Sequence, residues 1–413
     1  MSSVRGKRSR RISRRTFVAG TTAAAMAPMI VPRHVLGGEG QTPPSESLGG
    51  ALIGCGSRGP GTFNCLGPDV KLLAQCDVKF KDRVDNKAFY TDFRRLLERP
   101  DIDVVAIATP PGWHALISIA AMEAGKDVVC EKPMCRFISE GRAVADAEKR
   151  YGRIFQIESK GGYTWSTTRK IFESGLLKTC DSVLVKKGGF KAREWSGKVR
   201  YEIGKVPANL DWDMYCGPAP LRPFQRHRLG GSHRGYWDYE GGGLGDMAHH
   251  GLHDLAYTYG RDITSPVEVI PHAPLAHSEA CGLWGWCELK YADGFTLVLE
   301  SGEWGAPYDR LRTRSLKPDE LLQQLSAGDR EKLNALPNPE REKPPFFPEA
   351  VRTREKPGSH AERSHRVATI YHLANAAFRC GRPLRFDPVT EQIVGDEEAN
   401  RLVNQPMRSP WRL

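Results

Sequence analysis

The chain changes its hydrophobic pattern near residue 158. Before that point, apolar runs such as Ala51-Leu52-Ile53 and Val104-Val105-Ala106-Ile107-Ala108 show no alternation with polar residues. Uninterrupted runs are typical of strands that are buried on both faces of a parallel sheet. They alternate with helix-like stretches, so residues 49–158 are predicted to form a Rossmann-type, doubly wound parallel sheet within an α/β protein. The predicted elements are strands at 51–53, 70–77, 104–108, 127–131 and 153–158 and helices at 112–125 and 139–151.

Residues 159–413 follow a different pattern, in which longer strand-like runs are separated by turns. Tyr291-Ala292-Asp293-Gly294-Phe295 is a hairpin signal, and a helix over 363–379 is closed by Gly381. Residues 308–362 are charged and proline-rich and are predicted to form a long, loop-rich excursion. The pattern predicts a C-terminal α+β domain with an open, largely antiparallel sheet. Its predicted strands are 183–190, 267–270, 284–291 and 295–300.

Positive charge is concentrated at the N-terminus. The formal net charge is +11, and +7 of it lies within the first 40 residues. Ser13-Arg14-Arg15-Thr16-Phe17-Val18 contains the paired arginines of a twin-arginine export signal, and a short apolar run follows. That run is shorter than the about 20 residues that span a bilayer. We therefore expect a signal peptide over 1–37, a linker over 38–48 and a periplasmic protein with no stable membrane anchor.

The composition excludes several classes of protein. The chain is 40% hydrophobic and 26% charged, which fits a globular α/β protein and excludes collagen-like, coiled-coil and wholly disordered chains. Outside the signal the net charge is only +4, so nucleic-acid binding is not expected. The ten cysteines include no CxxC pair, the commonest zinc signature. We expect buried, reduced thiols and no bound metal.

A glycine-rich turn follows the first predicted strand. Gly54, Gly56 and Gly59 have the spacing of a dinucleotide-binding fingerprint, and Asp77 ends the next strand. Such glycines allow a tight turn and a close approach of the backbone to a pyrophosphate at a helix N-terminus. Asp77 would accept hydrogen bonds from the adenosine ribose, which favours NAD. Two lysines close behind it, Lys79 and Lys81, leave NADP open.

A lysine follows a later strand of the same predicted sheet. Lys132 lies in Glu131-Lys132-Pro133, directly after the strand at 127–131. Ligands of such folds bind at the carboxyl ends of the strands. An ammonium group there can stabilise a developing alkoxide on a substrate. A solvated lysine before a turn proline is the alternative interpretation.

The densest group of titratable residues follows three consecutive glycines at 241–243. If 246–257 is a helix, Asp246 and His250 are an i, i+4 pair on one face. A carboxylate beside an imidazole suits general acid–base chemistry near neutral pH. His249 and His253 form a competing pair with metal-ligand spacing, but the glutamate of the usual zinc motif is not nearby.

Together these motifs resemble the glucose–fructose oxidoreductase / inositol dehydrogenase / MocA (Gfo/Idh/MocA) family, over nearly all of the chain after the signal. The matching residues are the glycine loop 54–59, Ala108-Thr109-Pro110, His114, Gly125-Lys126, Glu131-Lys132-Pro133, Asp246 and His250. Further stretches are similar to an exported branch of the family. They are Leu210-Asp211-Trp212-Asp213, Gly217-Pro218-Ala219-Pro220, Arg234-Gly235-Tyr236-Trp237, Glu397-Glu398-Ala399-Asn400 and Arg408-Ser409-Pro410-Trp411.

The resemblance implies roles for particular residues. His250 would take the proton of a substrate hydroxyl while hydride passes to the nicotinamide, Asp246 would orient and charge His250, and Lys132 would hold the reacting oxygen. The open C-terminal sheet of the family often builds oligomers, so a homodimer or homotetramer is expected. The residues expected to bind the cofactor are Gly54, Gly56, Ser57, Arg58, Gly59, Asp77, Thr109, Pro110, His114, Glu131 and Lys132.

The chain departs from the family at three places. The segment between Asp77 and Tyr90 is shorter than the usual helix, which alters the adenosine side of the cofactor pocket. The stretch Gln156-Ile157-Glu158-Ser159-Lys160 lacks the common glycine and arginine that follow the fifth strand. His253 stands where the family has an aspartate three residues after the catalytic histidine, and Asp254 follows it.

Three functions are open at this point. The first is a nicotinamide-dependent oxidoreductase that moves hydride between NAD(P) and a hydroxyl of a sugar, polyol or glycoside. The alternative is a redox-neutral, NAD-dependent glycoside hydrolase or lyase that works through a transient keto-sugar, and the third is a non-catalytic sugar-binding protein. A periplasmic enzyme would need to retain its cofactor tightly. Six aromatic residues are candidates for stacking on a sugar, namely Trp113, Trp165, Trp195, Trp212, Tyr236 and Trp237.

Overall fold

Two six-stranded sheets organise the chain between Leu48 and Leu413. The computed structural model describes residues 47–80, 88–158, 170–171, 174–176, 182–186, 196–200, 202–310, 322–323, 325–336 and 344–413. The predicted signal peptide (1–37) and nearly all of the predicted linker (38–48) lie outside these residues. The predictions made for them therefore stay predictions.

The first sheet is parallel, with its strands in the order β3-β2-β1-β4-β5-β6. Alternate residues of the fourth strand enter two different core clusters, Val105 and Ile107 on one face and Val104 and Ala106 on the other. Both faces are therefore covered, which explains the unbroken apolar runs. The predicted Rossmann sheet is confirmed. Its strands are β1 (Gly49–Ile53), β2 (Lys71–Cys76), β3 (Phe89–Tyr90), β4 (Val104–Ile107), β5 (Asp127–Cys130) and β6 (Phe155–Ile157).

The helices of this half connect successive strands. Helix α4 has the clearest local signals, because Glu140 in its first turn accepts hydrogen bonds from the backbone N–H groups of Arg136 and Phe137, and Gly152 closes it in a left-handed conformation. The helices are α1 (Gly59–Asn64), α2 (Phe93–Leu97), α3 (His114–Glu123) and α4 (Ile138–Tyr151).

The second sheet is mixed, in the order β12-β11-β8-β9-β10-β7. All of its pairs are antiparallel except the parallel pair β7–β10, so the prediction of a largely antiparallel sheet is confirmed. The predicted hairpin is present, since the N–H of Tyr291 donates to the carbonyl of Phe295 at 2.8 Å. The strands are β7 (Ser182–Lys186), β8 (Glu268–His272), β9 (Trp286–Lys290), β10 (Thr296–Glu300), β11 (Leu384–Asp387) and β12 (Gln392–Ile393).

Six further helices follow the Rossmann half in the described part of the chain. The longest, α9, packs against both α4 and α6 and so joins the two halves of the molecule. Gly381 ends it in a left-handed conformation, as the sequence predicts. The helices are α5 (Trp212–Cys216), α6 (Gly242–Thr258), α7 (Ala327–Ala335), α8 (Phe347–Thr353), α9 (Ala361–Cys380) and α10 (Glu397–Val403).

The segment 308–362 differs from the loop-rich excursion that its composition predicts. Its described part includes helices α7 and α8, and α8 has a proline in its first turn, where a helix tolerates one. Phe347 is fully buried and joins Leu52 and Leu66 in the core of the first sheet. This part of the chain therefore packs against the Rossmann sheet. Only a few apolar residues among many polar ones indicate this in the sequence.

The C-terminal tail also returns to the first sheet. The Trp411 indole packs edge-on against Trp113, with ring centroids 4.6 Å apart, and lies near Phe93 at 6.3 Å. Arg408 donates to the carbonyl of Gly217 at 3.0 Å and pairs with Asp213 at 2.9 Å. These contacts connect the tail to helix α5 and to the strand ends of the Rossmann sheet.

The described cysteines lie in both halves of the chain. The nine cysteines that the structure describes form no disulfide, and most are buried. Burial raises the pKa of Cys76 and Cys135, because a thiolate is disfavoured in an apolar environment. Within the described residues, no helix is both long and apolar enough to cross a membrane.

A buried charge network connects α4 to α9 and to the turn between β11 and β12. Arg142 pairs with Glu362 at 2.6 Å and with Glu391 at 2.9 Å, and His365 lies 2.8 Å from the same Glu391 carboxylate. Burial opposes ionisation of Glu391, but the hydrogen bonds and charges of His365 and Arg142 outweigh it and lower the pKa of this carboxyl to about 2.

Replacing Glu391 by Gln is expected to destabilise the fold in a pH-dependent way. The carboxyl has a lower pKa folded than unfolded, so its contribution is present above about pH 4.5 and is lost as the pH falls toward 2. We expect Glu391→Gln to lower the free energy of unfolding by about 1–3 kcal/mol at pH 7 and by less at pH 3.5. Urea unfolding at several pH values measures this. Glu398→Gln, at an exposed ion pair with Arg382, should change stability by less than about 0.5 kcal/mol; equal losses in both variants would contradict the assignment.

Candidate functional site

The glycine turn lies where the order of the first sheet reverses, between β1 and its neighbours β2 and β4. Gly54 has a φ of +93°, and a Cβ atom there would lie 2.5 Å from the carbonyl carbon of Ala108. A Cβ on Gly56 would meet nothing within 4 Å, so this residue faces open space. The carboxylate of Asp77 accepts the N–H of Cys55 at 2.7 Å and so connects the turn to the end of β2. Ligands of doubly wound sheets bind in this crevice.

A mostly apolar cavity of about 240 Å³ opens at this crevice. The predicted residues Gly54, Gly56, Asp77, Thr109 and Pro110 all line it. Met214 and Tyr215 of helix α5, which lies outside the Rossmann sheet, also line it. The side-chain oxygen of Thr109 is buried and has no hydrogen-bond partner among the described residues, as expected of a group that contacts a ligand.

A second, more polar cavity of about 220 Å³ adjoins the first. The two share Gly56, Lys79, Thr109, Pro110 and Tyr215 in their linings, so they form one cleft. Charged and polar side chains from both halves of the chain line the second cavity. They are Ser57, Arg58, Lys79, Glu131, Lys132, His233, Arg234 and Glu240.

Lys132, in the lining of this polar cavity, forms a buried ion pair with Asp246 and so joins the two halves of the chain. Lys132 Nζ, beyond β5, lies 2.5 Å from Asp246 Oδ1 and donates to the Asp246 carbonyl at 3.0 Å. Arg234 Nε lies 2.8 Å from the same Oδ1. Burial opposes ionisation of Asp246, but the two cations outweigh it and lower the pKa of its carboxyl. Asp246 is therefore an anion held between two cations.

Helix α6 carries Asp246 and all three histidines of the predicted group. Because α6 is continuous from Gly242 to Thr258, Asp246 and His250 lie one turn apart on the same side. His250 is half-buried and is not among the residues that line the polar cavity. His249 and His253 are fully buried, with ring centroids 5.6 Å apart.

The surroundings of these histidines can be compared with those of a metal site. Across the described ranges, no three His, Cys, Asp or Glu side chains are grouped as metal ligands. His253 Nδ1 lies 3.2 Å from the neighbouring Asp254 carboxylate, which is largely exposed. The pair His249 and His253 is thus part of the interior face of α6.

Two predicted cofactor residues support the cleft without lining it. His114 is buried, and its ring nitrogens lie 2.6 Å from the carbonyl of Pro133 and 2.8 Å from that of Thr109. It therefore connects the loops after β4 and β5, and burial lowers its pKa. A Cβ on Gly59 would lie 2.6 Å from the carbonyl oxygen of Gly54, so this glycine permits close packing of α1 on the turn. Neither residue lines the two cavities, and their predicted part in cofactor binding stays a prediction.

Arg58 of the glycine turn bridges two carboxylates. Its guanidinium lies 2.7 Å from Glu131 and 2.9 Å from Glu158, and both carboxylates are largely buried. Glu158 therefore occupies the place beyond β6 where the sequence departs from the family pattern. Ser159 and Lys160 lie outside the described residues, as does Lys81.

The aromatic residues proposed for sugar stacking are mostly structural. Trp113 donates to the carbonyl of Met214 at 3.0 Å, Trp212 to that of Arg222 at 2.8 Å and Trp237 to that of His277 at 2.9 Å, and Tyr236 is fully buried. Trp113 reaches only the apolar cavity, and the other three line neither cavity of the cleft. Trp165 and Trp195 lie outside the described residues.

Sequence reasoning missed several residues of the cleft, including Tyr215, Arg234 and Glu240. Tyr215 separates its two halves, and nothing in its local sequence indicated this position. Arg234 contacts Asp246, and its presence in the motif Arg234-Gly235-Tyr236-Trp237 was the available signal. Glu240, 3.3 Å from His233, directly precedes the three glycines.

The loop that carries Arg234 is fixed by a fully buried arginine. Arg228 pairs with Asp238 and Glu279, each at 3.1 Å, and its guanidinium lies 4.2 Å from the centre of the Tyr236 ring. Burying these charges is stabilising only if every partner is in place. The loop is therefore held in one conformation, which presents Arg234 to the cleft.

Curated relatives match this chain over limited stretches. Levoglucosan dehydrogenase of Pseudarthrobacter phenanthrenivorans is 52% identical over 59 residues, 14% of this chain and 15% of that protein. A glycosyl hydrolase family 109 protein of Shewanella baltica is 35% identical over 116 residues, 24% of this chain and 25% of that protein. D-glucoside 3-dehydrogenase of Escherichia coli is 27% identical over 119 residues, which are 27% of this chain and 34% of that protein. The matches thus span between 15% and 34% of the length of these relatives.

Two solved structures share the fold over most of the chain. The WlbA dehydrogenase of Bordetella pertussis, in complex with NADH and UDP-GlcNAcA, covers 83% of this chain and 99% of its own, with a TM-score of 0.51 at 17% identity. The WlbA dehydrogenase of Chromobacterium violaceum is in complex with the same two ligands. The match covers 87% of this chain and 99% of that one, with a TM-score of 0.51 at 16% identity.

Family models match both halves of the chain. The NAD-binding Rossmann fold of the Gfo/Idh/MocA oxidoreductase family matches residues 70–159, which include Asp77, Thr109 and Lys132 of the cleft. The C-terminal alpha/beta domain of the same family matches residues 162–413, more than half of the chain, including Asp246 and His250. The chain therefore belongs to the Gfo/Idh/MocA oxidoreductase family, and its N-terminal half is an NAD-binding Rossmann domain.

Proposed function

We propose that this protein is an oxidoreductase that moves hydride between NAD(P) and a hydroxyl group of a sugar, polyol or glycoside. The observation that carries the proposal is the position of the Lys132–Asp246 ion pair. Lys132 lines the polar half of the cleft whose apolar half begins at the glycine turn, and Asp246 holds it there from helix α6. A substrate in the polar half would therefore be adjacent to a cofactor that extends from the turn.

The residues of the cleft fit a dinucleotide. Gly56 leaves the space above the turn open, Asp77 ends β2 beside the apolar cavity, and Thr109 has an unpartnered hydroxyl there. When bound, NAD supplies the hydride acceptor or donor. A carboxylate at the end of β2 favours the ribose hydroxyls of NAD, because it repels the 2′-phosphate of NADP.

The chain's own groups supply the charge and proton chemistry. Lys132 lies in the lining of the polar cavity, where its ammonium can donate to the reacting oxygen and stabilise negative charge on it. Asp246 keeps that ammonium in place and is itself kept ionised by Arg234. His250, one helical turn further on, is the proposed acceptor of the hydroxyl proton. The lining favours a neutral, hydroxyl-rich substrate, because three of its cations, Arg58, Lys132 and Arg234, are already paired with carboxylates.

A redox-neutral reaction on a glycoside is the second candidate. It is favoured by the matches to glycosyl hydrolase family 109 proteins and to an alpha-N-acetylgalactosaminidase of Shewanella oneidensis, which is 33% identical over 125 residues. Transient oxidation of one hydroxyl would acidify the neighbouring C–H bond, after which the glycosidic bond can be eliminated and the hydride returned. The same residues would serve both reactions.

Location and assembly complete the proposal. The paired arginines Arg14 and Arg15 support export of the folded protein to the periplasm. Export after folding would let the enzyme take up its cofactor in the cytoplasm and retain it. The open second sheet is the surface that we propose for a homodimer or homotetramer.

Lys132→Ala should reduce turnover by about 10²–10³-fold, because it removes the donor to the reacting oxygen. His250→Ala should reduce it by about 10²–10⁴-fold, because it removes the proton acceptor. Steady-state rates on the best substrate of a sugar and glycoside panel measure both losses, and circular dichroism verifies the fold. Lys149→Ala, at an exposed position on α4, is the matched control and should behave as the wild type. Wild-type rates in either site variant would contradict the mechanism.

Near-ultraviolet absorption distinguishes the two reactions. For a net oxidoreductase, adding the panel to the purified protein should give a lasting rise in the reduced-nicotinamide band. For the redox-neutral reaction, the band should return to its starting level while chromatography detects cleaved glycosides. Protein that binds neither NAD nor NADP would contradict both.

Export can be tested on the full chain by changing Arg14 and Arg15 together to Lys. The double substitution keeps the charge but removes the paired arginines that the export machinery reads. We expect the protein to shift from the periplasmic to the cytoplasmic fraction of the host. Unchanged export of the double variant would contradict the proposed location.

A further inference from the structure

Glu240 is a buried carboxylate in the lining of the polar cavity. It directly precedes the three glycines at the start of α6, and its side chain is only 2% exposed. Both of its carboxylate oxygens are buried without a hydrogen-bond partner among the described residues. Because buried polar groups are normally hydrogen-bonded, these two acceptors require donors that the described chain does not supply.

The other carboxylates that line the cleft already have donors. Asp77 accepts two backbone N–H groups, at 2.7 and 2.8 Å. Glu131 pairs with Arg58 at 2.7 Å and accepts the N–H of Lys132 at 2.7 Å. Of the carboxylates in the two linings, Glu240 is thus the one whose acceptors stay open within the described residues.

The neighbours of Glu240 offset its charge but leave its acceptors open. His233 Nε2 lies 3.3 Å and Arg234 Nε 3.7 Å from Oε2, and neither forms a hydrogen bond with it. His233 instead donates to the carbonyl of Gly230 through Nδ1, and Arg234 donates to Asp246 at 2.8 Å. Because His233 and Arg234 both line the polar cavity, the Oε2 atom beside them lies toward that cavity.

Arg136 lies behind Glu240, and both residues line a separate space of about 20 Å³. Arg136 Nη1 donates to the carbonyl of Asp238, while Nε and Nη2 are buried without a hydrogen-bond partner. Arg136 therefore contributes positive charge to this region but no hydrogen bond to Glu240. The space is large enough for a water molecule, so a water shared between the two residues is the alternative that an experiment must exclude.

The surroundings of Glu240 select the chemistry of its ligand. A carboxylate accepts hydrogen bonds and repels other anions, so the ligand must offer a hydroxyl or an ammonium group. The guanidinium of Arg234, 3.7 Å from Oε2, and the ammonium of Lys132 in the same lining would repel a further ammonium. Neutral hydroxyl groups are therefore the favoured donors, and two neighbouring hydroxyls match the two oxygens of one carboxylate.

We propose that Glu240 is a specificity-determining residue that accepts hydrogen bonds from two neighbouring hydroxyl groups of the substrate. This inference rests on the proposed function and deepens it, because the reacting hydroxyl lies at Lys132 and the two at Glu240 do not react. The substrate is then a sugar, polyol or glycoside with a vicinal diol in addition to the hydroxyl that is oxidised. Since Glu240 stands two residues before α6, the diol is held at the start of the helix that carries Asp246.

The test compares the wild type with Glu240→Gln, which keeps the size of the side chain but replaces one acceptor by a donor. The probes are methyl β-D-glucopyranoside, D-glucose and myo-inositol, and the best substrate among them is paired with each of its monodeoxy analogues. In the wild type, loss of a recognised hydroxyl should lower kcat/KM by about 10²-fold, because the buried carboxylate is then left unpaired. Glu240→Gln should lower kcat/KM on the parent compound by about as much, mainly through KM, and should discriminate less than about threefold against that analogue.

Glu123→Gln, at the exposed carboxylate that ends α3, is the matched control and should behave as the wild type. A wild type that does not discriminate against any analogue at a non-reacting position overturns the proposal, and this result does not depend on the folding of a variant. Wild-type rates of Glu240→Gln on the parent compound would mean that a water shared with Arg136 serves the carboxylate from behind. Equal losses on parent and analogue would mean a structural role, and both results overturn the proposal.

Equilibrium binding separates this inference from the proposed function. Saturation-transfer NMR with the same probes, on protein saturated with NAD, measures binding without turnover. A probe that binds to the wild type and not to Glu240→Gln, but is never oxidised, would contradict the proposed function and support the role of Glu240. Turnover by the wild type with equal binding to both proteins would overturn the role of Glu240 alone, and no binding to either protein would overturn both.

Discussion

The buried ion pair between Lys132 and Asp246 is the interaction on which the arrangement of the cleft depends. It joins a strand end of one domain to a helix of the other, with 2.5 Å between the two charged atoms. Removing two charges from water costs several kcal/mol per ion, so such a pair is stable only where further partners complete it. Here Arg234 and the Asp246 carbonyl supply them. The two domains must therefore pack in one relative position for either charge to have its partners.

Several other features fix the relative position of the two domains. Helix α9 packs on α4 and on α6, and the network of Arg142, His365 and Glu391 connects α9 to α4 through charge. On the opposite side, Arg228 fixes the loop that presents Arg234. The cleft thus changes from apolar at the glycine turn to polar at Lys132. This gradient suits a ligand with a flat aromatic end followed by a hydroxyl-rich partner.

Much of the fold was predictable, because a parallel sheet that is covered on both faces requires unbroken apolar strands, and particular residue types such as glycine mark its turns. The strands β1, β2, β4, β5 and β6 and the helix α9 were predicted on this basis. The short strands β3, β11 and β12 were not, because two to four residues carry no periodicity. Helix α8 was hidden among prolines and charges, since only Phe347 and Ala350 are buried in it.

The site was predictable only where one segment carries the signal. The glycine turn, Asp77, Lys132 and Asp246 each belong to a local motif. In the structure the glycine turn, Asp77 and Lys132 line the cleft, and Asp246 contacts Lys132 from helix α6. Tyr215 reaches the cleft through tertiary packing, which no local pattern encodes. His114 and Gly59 support the cleft without lining it, and their predicted part in cofactor binding stays a prediction.

The return of the C-terminal tail has a consequence for dividing the protein into parts. Trp411 supports Trp113, and helix α5 supplies Met214 and Tyr215 to the wall of the apolar cavity. One wall of the cavity beside the glycine turn is therefore built by residues more than 50 positions beyond the Rossmann sheet. A gene fragment that encodes the Rossmann sheet alone would expose this apolar surface to water. Nucleotide binding in this protein is thus a property of both domains together, and the two cannot be exchanged independently between relatives.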